Sequence, residues 1–257
     1  MDFPGFFGPV LYSAGGIQYN GGNRFGEEAV AVLKPRLEGV NEAEVLRYLG
    51  HRGGPVPEEL LESIRVCARQ VLDAARPRCV YRLFPLEQGQ LIGSGLVLEG
   101  DSIRRHLEGC VEGVLMAATL GPDVERLLLR TEVIDLAQAL VLDSVASSAI
   151  ENVCDNLEAD LRAWCADRGL YLTGRFSPGY GDLPLSLQGP LCQCLDTARR
   201  IGLTVSSSGI LMPRKSVTAI LGCAPTPRRS AVPGCAACAL REHCDRKKCR
   251  ISSENPE

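Results

Sequence analysis

The feature that most limits what this chain can become is a helical apolar period that runs from residue 133 to 164 without a Pro or a Gly. Val133, Ala137, Leu140, Val145, Ala149, Val153, Leu157, Leu161 and Trp164 form its stripe, and Gly169 closes it. An amphipathic helix of that length must bury its stripe against a second layer. Asp135 and Asp143 interrupt the most apolar window, residues 133–150, so the segment reads as a helix in water and not as a membrane span. Within it, Ala146, Ser147, Ser148 and Ala149 are small enough to let another backbone or a ligand approach closely.

Shorter elements surround this helix. Asn41 is placed to cap a helix over 42–49, with Glu44 at the capping-box position. Pro57 starts a second helix with Leu60, Ile64, Cys67, Val71 and Ala75 at helical spacing, and Pro77 stops it. Residues 79–84, 91–98, 110–119, 171–176, 203–207 and 216–221 read as strands. Residues 101–107 and 185–201 read as helices, as does a segment from Pro122 to about Arg130. Helices and strands mix without regular alternation and without an internal repeat. The expectation is an α+β fold, a mixed and mainly antiparallel sheet flanked by helices, with a short cysteine-rich C-terminal tail.

At 257 residues with 45% hydrophobic and 23% charged side chains, the chain can bury one sizeable core or two small ones. Its organisation reads as a Gly- and aromatic-rich leader over 1–31, a folded body over 32–222, and a Pro-rich linker with a four-cysteine tail over 223–257. A net charge of -3 argues against a nucleic-acid partner held on a broad basic surface. The first residues lack a basic region, and Pro4, Gly5, Gly8 and Pro9 break their apolar run, so no secretory signal is expected. That places the chain in the cytoplasm, with its thiols reduced. Cys67, Cys110, Cys154 and Cys165 then read as small hydrophobes, and the C-x-C of Cys192 and Cys194 as structural.

Dinucleotide, phosphate-loop, zinc-protease and nucleophile-elbow motifs are missing, so Rossmann redox, nucleotide hydrolysis and serine hydrolysis have no support. His51, His106 and His243 have no helically spaced partner and read as surface or structural residues.

The informative segment is 174–184, Gly-Arg-Phe-Ser-Pro-Gly-Tyr-Gly-Asp-Leu-Pro. A strand delivers Arg175 into a turn in which Gly179 and Gly181 permit positive φ and leave backbone groups uncovered. Arg175 offers a planar fork for a carboxylate, and the Tyr180 ring suits a cationic or planar group, which together fit a zwitterion with an extra positive centre. The alternative is a structural salt bridge and a packed ring. A second signal is the tail, where Cys235-x2-Cys238-x5-Cys244-x4-Cys249 gathers four soft ligands within 15 residues. That set suits tetrahedral zinc or an iron-sulfur cluster, with unligated thiols as the alternative. Cys223 reads either as a further ligand or as a strand-end thiol.

The R-x-x-x-G-Y segment, followed about 30 residues later by Leu-Met-Pro-Arg-Lys-Ser-Val-Thr at 211–218, resembles the activation (reactivation) domain of cobalamin-dependent methionine synthase, in its stand-alone bacterial form. The resemblance spans residues 41 to 222. It implies an S-adenosylmethionine site in which Arg175 holds the methionine carboxylate, Gly179 admits the backbone and Tyr180 lines the ligand or the corrinoid face. Glu151 would meet the ligand's ammonium or ribose, with a surface or salt-bridged side chain as the alternative, and for Lys215 and Ser216 a structural role at a strand edge stands against ligand contact. Where long synthases continue G-Y-P-x-x-P, this chain has Gly181-Asp182-Leu183-Pro184. No D-x-H-x-x-G cobalamin-ligand motif is present, so the corrinoid would arrive on a partner chain. The implied role is a component of methionine synthase in methionine biosynthesis: it covers the partner's oxidised cobalamin, an electron donor supplies one electron, and the methyl of S-adenosylmethionine passes to cobalt. A second reading makes the tail the working part of an iron-sulfur or zinc protein that docks on a corrinoid protein.

Overall fold

In the computed structural model, which describes residues 31–227 apart from 36, 38 and 52, apolar alternation builds one antiparallel sheet with a packed layer on each face. Residues 1–30 of the leader and Cys235, Cys238, Cys244 and Cys249 of the tail, with His243, lie outside the described residues, while Ala31 already belongs to the sheet. In chain order the elements are β1 (Ala31–Leu33), α1 (Glu42–Tyr48), α2 (Glu58–Ala74), β2 (Arg78–Glu87), β3 (Gln90–Leu91), α3 (Asp101–Leu107), β4 (Glu112–Thr119), α4 (Pro122–Ile134) and α5 (Leu136–Asp167). Then come β5 (Tyr171–Leu172), a 3-10 turn (Leu185–Leu187), α6 (Gln188–Cys194), α7 (Thr197–Ile201), β6 (Thr204–Val205), β7 (Leu211–Met212) and β8 (Ser216–Ala224).

The main sheet runs β1-β2-β4-β8-β5, with β3 folded back on β2, and β6 pairs β7 as a separate hairpin. Every described pairing is antiparallel. The expected α+β architecture is therefore observed. β4 lies at the centre and is buried on both faces. Val114, Met116 and Ala118 enter the core shared with α1, α2, α4 and α5, whereas Leu115 and Ala117 enter the core shared with α3, α6 and α7. No helix among the described residues is long and apolar enough to cross a membrane.

The long helix is anchored by its middle and C-terminal turns. Val145, Val153, Leu157 and Leu161 are buried in α5, each contributing roughly 1.5–3 kcal/mol. Its small-residue stretch receives another backbone, as the sequence allowed. Ser148 Oγ accepts from the Asn41 amide (3.2 Å) and donates to Glu44 (3.2 Å), so the capped start of α1 docks there. Asn41 caps α1 through the Glu44 amide, also as expected.

The stripe itself needs correction at its start. The chain bends at Asp135, whose carboxylate accepts from the Gln138 amide and begins a new helix, so Val133 belongs to α4. Val133, Ala137 and Leu140 face solvent.

Four other segments differ from expectation, the first being the 171–176 strand, of which only Tyr171–Leu172 forms a ladder. Of the 91–98 strand only Leu91 pairs, together with Gln90 before it, because the Gln90 side-chain amide takes the place of a neighbouring strand. It donates to the Leu98 carbonyl (3.1 Å) and accepts from the Leu98 amide (2.9 Å). The 185–201 helix is broken into a 3-10 turn, α6 and α7, with Asp196 at φ +50 between the last two. β8 continues to Ala224, where Cys223 pairs opposite Leu172 and Ala224 opposite Tyr171, so the strand passes beyond residue 222.

Candidate functional site

β5 ends at Leu172, and the chain leaves the sheet edge by a side-chain substitution for a ladder bond. Thr173 N donates to Gly222 O, while Gly222 N donates to Thr173 Oγ1, both at 2.8 Å. The Thr173 hydroxyl also meets His106 Nε2 (3.1 Å), so His106 is a buried structural residue, its ring 5.0 Å from Phe176. Phe176 rejoins the sheet through a single bridge to Ile220. Arg175, between these two points, is thus held at the edge beside α5.

There its guanidinium meets a row of carboxylates. Nη2 donates to Glu151 (3.0 Å) and Asp155 (2.8 Å), and Nη1 donates to Glu158 (3.0 Å). The three acids stand at i, i+4 and i+7, one face of α5. Glu158 also binds Arg162, whose other nitrogen donates to the Leu172 carbonyl (3.2 Å) and ties the helix to the same sheet edge. Three carboxylates against two guanidinium groups leave the cluster net negative. Burial opposes the charge on Arg175, but the Cys154 sulfur and the carboxylates outweigh it and hold the guanidinium's pKa above its ordinary value. Cys154 beneath is fully buried, and burial pushes its thiol up to about 12.

The Gly-Tyr turn engages the opposite layer. Tyr180 N donates to Ser177 O (3.0 Å), Leu183 N to Tyr180 O (3.0 Å), and Gly179 N to Leu183 O (2.9 Å). Gly179 takes φ +90, and a Cβ there would meet only Leu185 at an ordinary distance, so its backbone angle is what requires glycine. Gly181 at φ +55 has a second reason: a Cβ would lie 2.6 Å from Ser102 Oγ. Tyr180 packs its ring edge-on to Phe176 at 6.1 Å and leaves about half of itself in solvent.

Asp182 fastens this turn to α3. Its carboxylate accepts from the Asp101 amide (2.7 Å) and the Ser102 amide (2.9 Å), capping a helix 80 residues earlier in the chain. These bonds, that from Ser102 foremost, lower its pKa below the usual aspartate value. Gly100, at φ +124, clears the way, since a Cβ there would stand 2.6 Å from the Asp182 carboxylate.

The 211–218 segment is framework. Arg214 binds Glu125 and Glu132 of α4, and Lys215 bonds to Asp143 (2.8 Å) and Ser147 (2.8 Å) of α5. Ser216 Oγ donates to Pro213 O (2.7 Å) and lies 2.8 Å from Thr119 Oγ1. Lys215 and Ser216 hold a strand edge, as expected. The structure therefore joins Arg175 to Glu151 and keeps Gly179 and Tyr180 in one exposed turn, with the arginine turned to α5 and the tyrosine to Phe176. Sequence reasoning missed Asp155 and Glu158, whose helical spacing with Glu151 was a usable signal. It also missed Asp182, for which no local signal existed.

Among the described residues no three His, Cys, Asp or Glu side chains are grouped to hold a metal ion. Cys165 and Cys223 approach to 3.4 Å in the core, where the hydrogen bond to Cys165 and then burial push the Cys223 thiol up. The remaining cysteines read from sequence as structural, Cys67, Cys110 and Cys192, are buried, and Cys194 is partly so.

These features define a class: an antiparallel α+β domain that holds an arginine at its sheet edge against a long helix and presents a glycine-tyrosine turn beside it. The fold is that of the methionine synthase reactivation domain. The crystal structure of the MetH reactivation domain bound to AdoHcy matches with a TM-score of 0.60 at 15% identity, over 80% of this chain and 82% of that one. No protein-family model and no curated protein matches the chain.

Proposed function

We propose that this chain binds S-adenosylmethionine and serves the reductive remethylation of cobalamin carried by a separate methionine synthase chain in the cytoplasm. The observation that carries the reading is the shared fold with a domain described as bound to AdoHcy, together with an R-x-x-x-G-Y segment whose Gly179 and Tyr180 stand open to solvent. S-adenosylmethionine supplies the methyl group; the corrinoid belongs to the partner, and the electron comes from a donor outside this chain.

The chain's contribution is binding and orientation. A ligand carboxylate reaches Arg175 by displacing Asp155, the most exposed of its three partners. The exposed Gly179, without a side chain, lets the ligand lie close, and the exposed part of Tyr180 covers it or the face of the incoming corrinoid. The net negative cluster of Glu151, Asp155 and Glu158 with Arg162 and Arg175 favours a ligand of net positive charge. S-adenosylmethionine is such a ligand, whereas S-adenosylhomocysteine, lacking the sulfonium charge, is neutral overall.

Calorimetry with both ligands tests this. Saturable binding of S-adenosylmethionine that weakens in Tyr180→Ala and falls with added salt more steeply than that of S-adenosylhomocysteine is expected. Absence of saturable S-adenosylmethionine binding would overturn the proposal.

A further inference from the structure

The bend at Asp135 leaves an apolar surface that the described residues do not cover. Val133 (88% exposed), Ile134 (77%) and Leu136 (77%) cluster within four residues of the bend, and Leu129 and Leu140, half exposed or more, extend the patch one turn along α4 and α5. Val133 follows Leu129 by four residues and Leu140 follows Leu136 by four, so each helix contributes one continuous face. Asp135, between Ile134 and Leu136, has its carboxylate taken up by the Gln138 amide, while the exposed Arg130 and Glu132 fall between Leu129 and Val133 in the sequence.

Together these five side chains expose on the order of 600 Å² of apolar surface, where the largest patch of an ordinary monomer reaches about 300–600 Å². From the geometry we infer that this α4–α5 elbow is the contact through which two copies of the chain pair. A two-fold pairing sets the patch against itself and removes about 1,200 Å² in all, the lower end of what a stable interface needs. The charges that flank these residues in sequence are of both signs, Arg126 and Arg130 against Glu132 and Asp143, and Arg126, Glu132 and Asp143 are already paired with Asp123, Arg214 and Lys215, so a two-fold pairing sets no large like-charge field against itself. Such a pair leaves the candidate site open. Glu151 and Glu158 lie roughly 17 and 27 Å further along α5 than Leu140 at 1.5 Å per residue, so each copy still presents Arg175 and Tyr180 to a different partner.

The test is the mass of the full chain in solution, by light scattering after size exclusion over a concentration series up to about 100 µM. The expected result is a concentration-dependent rise from 27.7 kDa toward twice that value. Val133→Glu and Leu136→Glu, both at solvent-facing positions, should keep the wild-type circular dichroism. Each should weaken pairing by at least about tenfold, as an unpaired charge in a desolvated contact does. Val97→Glu, at another exposed apolar residue (65%), should leave pairing intact. A wild-type chain that stays monomeric throughout, pairing that survives both elbow substitutions, or pairing lost equally in Val97→Glu would each overturn the inference.

Discussion

Replacing Arg175 with Met removes the charge and keeps most of the volume, and the structure sets the size of the effect. The guanidinium is 16% exposed and holds three carboxylates, of which Glu158 is well buried, Glu151 partly so and Asp155 nearly half exposed. A fully buried ion pair that loses one member costs about 3–5 kcal/mol. Solvent reaches this cluster, and Glu158 keeps Arg162, so both effects cut that figure. About 2 kcal/mol remains, chiefly from the Glu151 and Glu158 carboxylates left facing each other without the cation between them. For a domain of this size that lowers the melting temperature by roughly 4–8 °C. Thermal unfolding of the two proteins at neutral pH measures it. Adding Glu151→Gln to the Met variant removes one of the repelling charges and should restore part of the loss. A melting temperature within about 1 °C of wild type, or no recovery in the double variant, would refute the view of Arg175 as a clamp between the sheet edge and α5. Ligand affinities of Arg175 variants are accordingly to be read well below the variant's own transition.

Asp182→Ala should weaken S-adenosylmethionine binding several-fold by freeing the Gly179–Tyr180 turn, and Asp182→Asn, which keeps one of the two acceptor oxygens and turns an NH2 donor toward the other amide, should restore only part of it in calorimetry. Because the folded pKa of Asp182 lies below its unfolded value, the cap is complete above about pH 4 and is lost as pH falls through the lower folded value. Amide exchange at Asp101 and Ser102 should speed up in that acid window, after correction for intrinsic rates. Gly181→Ala should destabilise the protein by about 1–3 kcal/mol through its positive φ and its clash with Ser102, and Ser102→Gly should return only the steric part, as seen by denaturant unfolding. For the tail, we expect Cys235, Cys238, Cys244 and Cys249 to bind one metal centre: elemental analysis of the full chain should find zinc or iron, and Cys238→Ser should release it.

Much of the framework was legible because it depends on local rules. Asn41 and Pro57 start helices through capping and φ restriction, and the β4 strand follows from its uninterrupted apolar run. What escaped depends on side chains that act at a distance. Gln90 imitates a strand neighbour for Leu98, so an apolar run that scans as a strand is instead a loop. Val133, Ala137 and Leu140 match the helical period, but the bend at Asp135 turns them from the sheet. At the candidate site the turn chemistry of Gly179 and Gly181 was readable. The partners of Arg175 and Asp182 were not, because the sequence does not reveal that α5 and α3 lie beside the same loop.

The site's construction separates what is held from what is offered. The segment around Gly179 and Tyr180 is fastened at the sheet edge by the Phe176 bridge, at α5 by Arg175 and at α3 by Asp182, so its ends have little conformational freedom left. Between those fastenings Gly179, Tyr180 and Gly181 remain exposed. A ligand docking there does not have to order the loop, which is the cost that preorganisation removes from binding. In place of a local restraint within the turn, this chain uses a long-range cap, the Asp182 carboxylate on the Asp101 and Ser102 amides. Asp182 takes on the restraint, and Gly100 and Gly181 provide the clearance it requires. Substitutions at Asp182, Gly100 and Gly181 should therefore act on ligand affinity as one coupled unit, with double variants losing less than the product of the single effects.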